Sequence, residues 1–266
     1  MLNWIYRYPP LETGILLKRY KRFFADIELT SGEIITAHCP NTGPMTGVST
    51  PGSLVKVSRH NNPKRKLAYT WELIQVQDNE LTWVGVNTGL PNRVIKLALE
   101  KQFIPEFSNC FSEICCEVPY GKELKSRVDF LLKSTTINPG AMPEELAPPH
   151  SNERPIYVEV KSATLTQGNV ALFPDTVTTR GQKHLRELMA LLPQARAVML
   201  YFINRGDCPY FAPGDRYDPV YGQLLREAVA LGVEVLPCRF EITPEGIHYL
   251  GLAEFLPVQP NSRGET

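Results

Sequence analysis

The chain has 266 residues, of which 43% are hydrophobic and 21% are charged, and its formal net charge at pH 7 is zero. This is the composition of an ordinary globular protein with one large domain or two smaller ones. No run approaches the roughly 18 consecutive apolar residues that a membrane span needs, and "MLNWIYRYPP" lacks the parts of a signal peptide, so we expect a cytoplasmic protein.

The charge is distributed unevenly along the chain. Residues 1–66 carry ten Lys or Arg against four Asp or Glu, a net of +6, and residues 67–266 carry 18 against 24, a net of −6. A basic front end and an acidic remainder indicate different roles for the two parts.

The chain contains six cysteines but no C-x-x-C pair. In a chain of this length without a secretion signal, this predicts reduced and buried thiols. The pattern argues against disulfides and against a structural zinc site.

From Leu11 to Val86 the sequence predicts five short strands separated by turns. They are "GILLKRYKRFFADIEL", "GEIITAHCP", "SLVKVSRH", "LAYTWELIQVQ" and "ELTWVGV". Five strands without a helix are typical of a small barrel, and the oligonucleotide-binding (OB) barrel is the leading candidate. Other five-stranded barrels fit almost as well. We predict an OB-like, nucleic-acid-binding β-barrel domain over residues 1–86.

After Gly89 the pattern changes to helices alternating with strands. "NRVIKLALEKQFI" (92–104) has a helical apolar period and an N-terminal Asn that can cap it. Strands follow at "SEICCEVPY" and "SRVDFLLKS", then a Pro-rich insertion over 138–154, then the strand "PIYVEVKS". The remaining elements are a helix from about Asp175 to Leu192, the strand "RAVMLYFIN", a helix from Asp218 to Gly232 and the strand "VEVLPCRF". They predict an α/β domain with a mixed sheet over residues 87–266.

The order of a helix, three strands, a helix and a strand is that of restriction-endonuclease-like (PD-(D/E)XK) folds. Their signature places Asp on the second strand and Glu-x-Lys on the third, which here are Asp129 and Glu159-Val160-Lys161. Glu159 and Lys161 share one face because side chains alternate along a strand. Asp129 and Glu159 can hold Mg²⁺ or Mn²⁺ through oxygen, and Lys161 can position water or stabilise an oxyanion.

The Glu-x-Lys pattern is weak by itself, because Glu123-Leu124-Lys125 matches it too. That second copy sits in a polar turn before the Asp strand, so we prefer Glu159 and Lys161. A solvated strand face remains the alternative for both residues.

Three further segments are candidates for nucleic-acid binding. "LKRYKRFFADI" interleaves cations with aromatic residues, as in single-strand platforms, and supplies Lys18, Arg19, Tyr20, Lys21 and Arg22. The loop "NNPKRK" offers Lys64, Arg65 and Lys66 to backbone phosphates. The helix "TTRGQKHLREL" offers Arg180, Gln182 and Lys183. The alternative in each case is a solvated surface. For the first segment, Phe23 or Phe24 would then fill the barrel.

Two smaller features have no assigned chemistry. Asn-Thr-Gly occurs at 41–43 and again at 87–89, each time followed within two residues by Pro, which predicts two turns. The second copy introduces the first helix of the C-terminal domain and marks the domain junction. His184 is a single helical histidine for which packing is as good an interpretation as proton transfer.

Long and unusual motifs along the chain resemble those of one known family. They are "RYKRFFADIEL", "AHCPNTGPMTG", "PGSLVKVS", "NPKRKLAYTWELI", "VGVNTGLPNR", "SRVDFLL", "YVEVKSATL", "FPDTVTTRGQKHLREL" and "GVEVL". From about Leu11 to about Leu250 the chain resembles the sugar fermentation stimulation protein A (SfsA) family. The resemblance implies a cytoplasmic prokaryotic protein with an OB-like domain and a nuclease-like domain. It also implies DNA binding with little sequence preference and a regulatory link to sugar (maltose) metabolism.

The resemblance assigns the nuclease-type motif to Asp129, Glu159 and Lys161. Many nuclease-like domains add an acidic residue from the first helix, whereas here we expect Leu97 at the inward position and Glu100 facing away. The third metal ligand, and with it the activity, is left open by the sequence.

Three functions therefore compete. The first is a two-domain DNA-binding protein whose basic barrel supplies salt-sensitive affinity. The second is a Mg²⁺- or Mn²⁺-dependent nuclease that acts on DNA or RNA at Asp129, Glu159 and Lys161. The third is a barrel whose Asn-Thr-Gly loops bind a small anion or a protein.

Overall fold

The structure is a computed structural model that describes residues 3–121, 126–134 and 154–258. Within these ranges the chain forms a β-barrel and an α/β unit built on a seven-stranded sheet. The Pro-rich insertion, except Arg154, and the second Glu-x-Lys copy lie outside the described residues.

The barrel has six strands rather than the predicted five. The chain begins with a short strand, β1 (Tyr6–Arg7), and the barrel strands are β2 (Leu11–Tyr20), β3 (Phe24–Leu29), β4 (Ile34–His38), β5 (Leu54–Arg59), β6 (Tyr69–Gln77) and β7 (Leu81–Gly85). Their order is β4-β3-β2-β5-β6-β7, and a parallel pairing of β4 with β6 closes the barrel. The interior is apolar and includes the fully buried Trp71.

The extra barrel strand arises from a hairpin inside one apolar and basic run. "GILLKRYKRFFADIEL" was expected to form a single strand, and that expectation is wrong, because the chain turns between β2 and β3. Lys21 and Arg22 make this turn with φ values of 48° and 63°. Non-glycine residues seldom adopt that conformation, and no Gly or Asn marks the turn in the sequence.

Strand β1 does not belong to the barrel. Tyr6 pairs with Ile247 at the far edge of the seven-stranded sheet. The predicted first domain, residues 1–86, therefore includes a segment that is hydrogen-bonded to the other unit.

The second unit confirms the predicted order of helices and strands and adds short strands to it. Its elements are α1 (Leu90–Glu100), β8 (Glu113–Tyr120), β9 (Ser126–Lys133), β10 (Ile156–Ala163), β11 (Leu165–Gln167), β12 (Val170–Phe173), α2 (Thr179–Met189), β13 (Arg196–Ile203), β14 (Tyr210–Pro213), α3 (Pro219–Leu231), β15 (Glu234–Thr243), β16 (Gly246–Leu252) and β17 (Glu254–Phe255). The strands β11, β12, β14, β16 and β17 were not predicted.

The large sheet is mixed, as expected. Its order is β1-β16-β15-β13-β10-β9-β8, and β10, β13 and β15 run parallel while the outer pairings are antiparallel. A smaller sheet, β11-β12-β14-β17, lies beside it.

Alternation along β10 divides its side chains between two apolar layers. Val158 and Val160 pack in the cluster that contains the buried face of α1. Tyr157 packs on the opposite side, in the cluster with Leu185 of α2 and Tyr221 of α3. Glu159 lies on that second side, where it contacts His184 of α2.

The ends of α2 and α3 follow from capping residues. Helix α2 begins later than predicted, because the Thr178 side chain caps it by accepting from Gly181 N at 3.1 Å. Helix α3 confirms the prediction at both ends, since Asp218 accepts from Tyr221 N at 3.0 Å and Gly232, with φ 105°, ends the helix.

The predicted cap of α1 is wrong. We expected Asn92 to cap a helix beginning there, but α1 begins at Leu90, after Gly89, and has no side-chain cap. Pro91 in the first turn starts the helix, because its fixed φ suits that position and its missing N–H is not needed there. The amide of Asn92 is therefore free for a contact outside the helix.

All six cysteines are free, but they are not all buried. Cys39, Cys208 and Cys238 are buried, whereas Cys116 is exposed. Among the described residues, no helix is long and apolar enough to cross a membrane.

The barrel and the sheet are joined at the end of β13. Gly85 N donates to the Asn204 carbonyl at 3.0 Å. The guanidinium of Arg205, only 1% exposed, donates to both oxygens of Asp207 at 2.6 Å. It also donates to Asp78, in the β6–β7 turn of the barrel, at 2.7 Å. One buried cation thus holds both units together.

We expect Arg205→Met to lower the free energy of unfolding by about 3–5 kcal/mol, because it leaves the buried Asp207 carboxylate without its cation. Asp78→Asn should cost less than about 1 kcal/mol, because that carboxylate is partly solvated and screened. Urea denaturation of the two variants measures the difference. Equal decreases in stability would show that the Asp207 pair contributes no more than the exposed contact.

Candidate functional site

A cleft of about 490 Å³ opens between a barrel loop and strands β9 and β10 of the large sheet. We call it the cleft; its lining residues are Asn41, Thr42, Gly43, Thr88, Pro91, Asn92, Asp129, Glu159, Val160, Lys161, Ser162 and Arg180. The predicted residues Asp129, Glu159 and Lys161 thus come together, and Arg180 joins them. The barrel closes the opposite wall.

Asp129 occupies a point where two strands separate. The pairing of β9 with β10 ends at Phe130 and Val158. Beyond it, Val160 N donates to Asp129 Oδ2 at 2.7 Å, so a side chain takes the place of a strand partner. Asn92 of α1 donates to Asp129 Oδ1 at 2.6 Å. Burial and then the nearby Glu159 carboxylate raise the pKa of Asp129 to about 6.

Glu159 is the most enclosed group of the site, with 2% of its surface exposed. Its Oε1 accepts from Lys161 Nζ at 2.6 Å and lies in close contact with His184 Nδ1. Its Oε2 is buried and has no hydrogen-bond partner. Burial alone would raise the pKa of Glu159, but the His184 hydrogen bond and the Lys161 charge outweigh it and the pKa is lowered.

The contacts of His184 define its tautomer. Arg180 Nε donates to His184 Nε2 at 3.4 Å, so that nitrogen is the acceptor. Nδ1 then carries the proton and donates to Glu159, and the 3.2 Å approach of Lys161 Nζ to Nδ1 is a contact rather than a hydrogen bond. His184 is therefore neither simply packed nor free, because it holds the Glu159 carboxylate in place.

The donor set fits a hard divalent cation. Asp129 and Glu159 are both oxygen ligands, and the partnerless Glu159 Oε2 is a buried acceptor of the kind that a cation would satisfy. Within the described ranges, no group of three or more His, Cys, Asp or Glu is placed to hold a metal. Two carboxylates would leave most of the coordination shell to water, as Mg²⁺ allows.

Helix α1 supplies an amide where a third acid was considered. Leu97 is half-buried and packs against the core, and Glu100 pairs on the surface with Lys96 at 3.8 Å. Asn92 reaches the site instead. Sequence reasoning missed Asn92 because an Asn at the start of a helical period reads as a cap.

Both Asn-Thr-Gly motifs form matching turns at the cleft. Asn41 Oδ1 accepts from Gly43 N at 2.9 Å, and Asn87 Oδ1 accepts from Gly89 N at 3.0 Å. Thr88 Oγ1 donates to the Pro40 carbonyl at 2.8 Å, which joins the two turns across the barrel–sheet boundary.

The first basic segment is only partly free to bind a ligand. Arg19 Nη2 donates to the carbonyls of Asn41 and Gly43, both at 2.9 Å. It thereby stabilises the barrel loop 41–43 that lines the cleft, which we call the cleft loop. Lys18 forms an ion pair with Asp26 at 3.3 Å, and the Tyr20 hydroxyl donates to the same carboxylate at 3.1 Å. Lys21 and Arg22 are exposed at the hairpin turn.

The other predicted basic residues divide in the same way. Arg65 donates to Thr70 Oγ1 at 2.9 Å, whereas Lys64 and Lys66 are exposed. Gln182 donates to both oxygens of Asp218, at 3.1 and 3.0 Å. Lys183 pairs with Glu187 at 3.5 Å. Of the three α2 residues, only Arg180 lines the cleft.

Two family models match the chain. The model described as the SfsA N-terminal OB domain matches residues 17–86. The model described as the sugar fermentation stimulation protein RE domain matches residues 89–246. The first match confirms the predicted OB-like barrel.

Similar proteins extend over nearly the whole chain. A sugar fermentation stimulation protein homolog from Nostoc sp. is 68% identical over 256 residues, covering 96% of this chain and 100% of the relative. One from Cyanothece sp. is also 68% identical, with the same two coverages. Pyrococcus furiosus SfsA, solved in complex with Ca²⁺, has a TM-score of 0.78 and 26% identity, covering 96% of this chain and 99% of that one. The chain belongs to the sugar fermentation stimulation protein (SfsA) family.

Proposed function

We propose that the protein is a nucleic-acid-binding, divalent-metal-dependent phosphodiesterase whose C-terminal unit is a restriction-endonuclease-like domain. One observation carries the proposal: Asp129 on β9 and Glu159 and Lys161 on β10 face the same cleft. Two carboxylates beside a lysine, on adjoining strands, are groups that can hold a divalent metal and assist hydrolysis of a phosphodiester.

Asp129 and Glu159 would hold the metal. Mg²⁺, Mn²⁺ and Ca²⁺ all bind carboxylate oxygen, and the Ca²⁺ complex of the Pyrococcus furiosus relative supports a metal in this family. When bound, such an ion activates water and neutralises charge on a phosphate.

The chain's own residues orient these ligands. Asn92 and the Val160 N–H each donate to one oxygen of Asp129, so its carboxylate plane is held in position. His184 does the same for Glu159 through Oε1, which leaves Oε2 buried and without a hydrogen-bond partner. Contacts of this kind are what keep a metal ligand oriented.

Lys161 and Arg180 supply positive charge to the same cleft. The Lys161 ammonium is bound to Glu159 Oε1 and is poised to hold a water or to stabilise charge that develops on a phosphate oxygen. Arg180 is exposed, and its guanidinium can form a bidentate hydrogen bond to the non-bridging oxygens of a phosphate.

The partner is DNA or RNA recognised mainly through its backbone. The exposed cations Lys21 and Arg22 lie on a turn that Arg19 ties to the cleft loop, since Arg19 also donates to the Arg22 carbonyl at 3.3 Å. Such contacts carry affinity without sequence preference. A regulatory role in sugar metabolism would follow from such binding and is what the family name suggests.

Binding without hydrolysis is the second candidate. Two observations favour it. Asn92 occupies a position on α1 from which an acidic residue could have supplied a third metal ligand. In addition, Lys161 and His184 already occupy Glu159 Oε1, so that oxygen is less available to a metal. In that case the cleft holds a phosphate rather than cleaving it.

The metal proposal is tested by calorimetry with Mg²⁺, Mn²⁺ and Ca²⁺, beside a cleavage assay on labelled single- and double-stranded DNA and RNA. Asp129→Ala should abolish metal binding and cleavage, because it removes one of only two carboxylate ligands. Lys161→Met should keep metal binding, because both carboxylates and the His184 contact to Glu159 remain, and should slow cleavage by at least about 100-fold, because it removes the charge that meets the phosphate.

Glu100→Gln is the matched control, because its carboxylate lies on the surface of α1 and pairs with Lys96. It should leave both measurements unchanged. Metal binding and cleavage that persist in Asp129→Ala would refute the metal site, whereas nucleic-acid binding without cleavage in any metal would favour the second candidate.

The charge of the hairpin turn predicts the salt dependence of DNA binding. Replacing Lys21 and Arg22 with Ala should weaken binding to all sequences alike and reduce the slope of log K against log salt by about one for each phosphate that is no longer neutralised. Fluorescence anisotropy at several salt concentrations gives the slope. Lys133→Ala is the control, because Lys133 pairs with Glu113 of the neighbouring strand β8 and does not line the cleft. An unchanged slope in the double variant would exclude the turn from the interface.

A further inference from the structure

A second pocket, of about 370 Å³, lies on the other side of the segment 87–93 from the cleft. It is formed jointly by the barrel and the start of α1. Pro91 and Asn92 line the cleft, whereas Leu90 and Arg93 line the second pocket. The two cavities are therefore separated by a single turn of chain, and none of the groups of the proposed metal site belongs to the second pocket.

The second pocket contains a buried carboxylate. Glu72 is 7% exposed, with Oε1 accepting from Ser58 Oγ at 2.6 Å and Oε2 accepting from Asn87 Nδ2 at 2.7 Å. No cation of the described chain lies within ion-pairing distance of it. Each oxygen has a further lone pair, so the carboxylate can accept from a ligand while it keeps both internal hydrogen bonds.

The surrounding groups are suited to the rest of a nucleotide. Arg65 and Arg93 supply positive charge, and the guanidinium of Arg93 lies 5.1 Å from the ring centre of Tyr6. The buried hydroxyls of Ser58 and Thr70 meet His60 Nε2 at 3.3 and 3.1 Å. Burial, and then the charge of Arg65, lower the pKa of His60, so its ring is neutral at pH 7.

We propose that the second pocket takes one unstacked nucleotide of a bound strand, with Glu72 accepting from an amino group of the base and Arg65 and Arg93 meeting the adjoining phosphate. The proposal rests on the nucleic-acid binding proposed above and names the form of the substrate, a single strand or a frayed end. A duplex could not fill the pocket without releasing a base from its stack.

A nucleotide accounts for the combination of groups better than the simpler ligands do. A free anion would be repelled by the buried Glu72 carboxylate, and a simple cation by Arg65 and Arg93. The amino group of a base can donate to Glu72 while the adjoining phosphate pairs with the two arginines. Tyr6 adds an aromatic ring of the kind on which bases stack. The basic loop that carries Lys64 and Lys66 adjoins the pocket through Arg65 and extends its positive charge.

The expected preference follows from the base edges. Cytosine, adenine and guanine carry an amino group, whereas thymine and uracil do not. A single strand of dC or dA should therefore bind more tightly than dT of equal length. A difference at one pocket, in a strand held mainly by its phosphates, amounts to about tenfold.

The experiment measures binding of the full chain to labelled dC, dA and dT oligonucleotides in EDTA, which prevents cleavage. Glu72→Gln should reduce the preference over dT, because it removes the negative charge and one of the two acceptor oxygens while keeping the shape of the side chain. Arg93→Ala should weaken binding to all three oligonucleotides by several-fold. Lys96→Ala, one turn along α1 on an exposed surface, is the matched control for removal of a positive charge and should bind as the unmodified protein does.

The mononucleotides dCMP and dTMP form the second arm of the experiment. The proposal requires dCMP to bind much more weakly than the oligonucleotide, and to bind more weakly still in both pocket variants. If dCMP binds as tightly as the oligonucleotide, and the pocket variants bind oligonucleotides normally, the pocket takes a free nucleotide and the strand assignment is overturned.

Thermal melting establishes that each variant is folded. Arg93 is exposed, so Arg93→Ala keeps the test decisive even if Glu72→Gln proves unstable. Normal oligonucleotide binding by a folded Arg93→Ala, with base preference intact, would overturn the proposal. If the unmodified protein binds no oligonucleotide at all, nucleic-acid binding itself fails, and that outcome is distinct from a failure of the pocket alone.

Discussion

The docking of the barrel on the large sheet is the constraint on which the rest of the molecule depends. Arg205 at the end of β13 binds Asp207 beside it and Asp78 in the barrel, and Asn204 receives the N–H of Gly85. A Cβ at position 85 would lie 2.3 Å from Asn204 Oδ1, so glycine leaves room for the Asn204 side chain in its observed position. The second link, from Thr88 to the Pro40 carbonyl, then brings the barrel loop opposite β10.

The cleft exists only because these contacts hold. Its wall of Asn41, Thr42 and Gly43 belongs to the barrel, while its carboxylates belong to the sheet. Arg19 completes the arrangement by binding two carbonyls of the barrel loop. A change in the docking angle would therefore alter the space above Asp129 and Glu159 without touching either residue. This is why the barrel matters for the shape of the site even where it supplies no charged group to it.

Electrostatics distinguishes the two carboxylates of the cleft. Asp129 is partly buried beside another negative charge, and its pKa is raised, whereas His184 and Lys161 hold the pKa of Glu159 down. Glu159 thus stays ionised although it is buried. Its Oε1 accepts hydrogen bonds, whereas its Oε2 has no hydrogen-bond partner. A divalent cation between Asp129 and Glu159 would offset the repulsion between the two carboxylates and would give the buried Glu159 Oε2 a partner.

Much of this architecture could be read from the sequence, because it depends on local patterns. Strand alternation placed Glu159 and Lys161 on one face, the helical periods located α1, α2 and α3, and Asp218 with Gly232 marked both ends of α3. The hairpin at Lys21 and Arg22 was not predicted, because its turn contains no glycine. Short strands such as β11 and β14 escaped because a few residues carry no period.

Sequence by itself determined which residue types are available and which face of each element they occupy, because these depend on neighbours a few positions apart. Only the tertiary structure decided which of these residues meet. Asn92 binds Asp129 instead of capping a helix, and His184 contacts Glu159, which lies 25 residues away in the sequence. Gln182 and Arg19 form internal hydrogen bonds and are not free to bind a ligand. It also enclosed Glu72 in a second pocket. Such contacts join distant parts of the chain, and their geometry follows from how the barrel and the sheet pack, which no local pattern encodes.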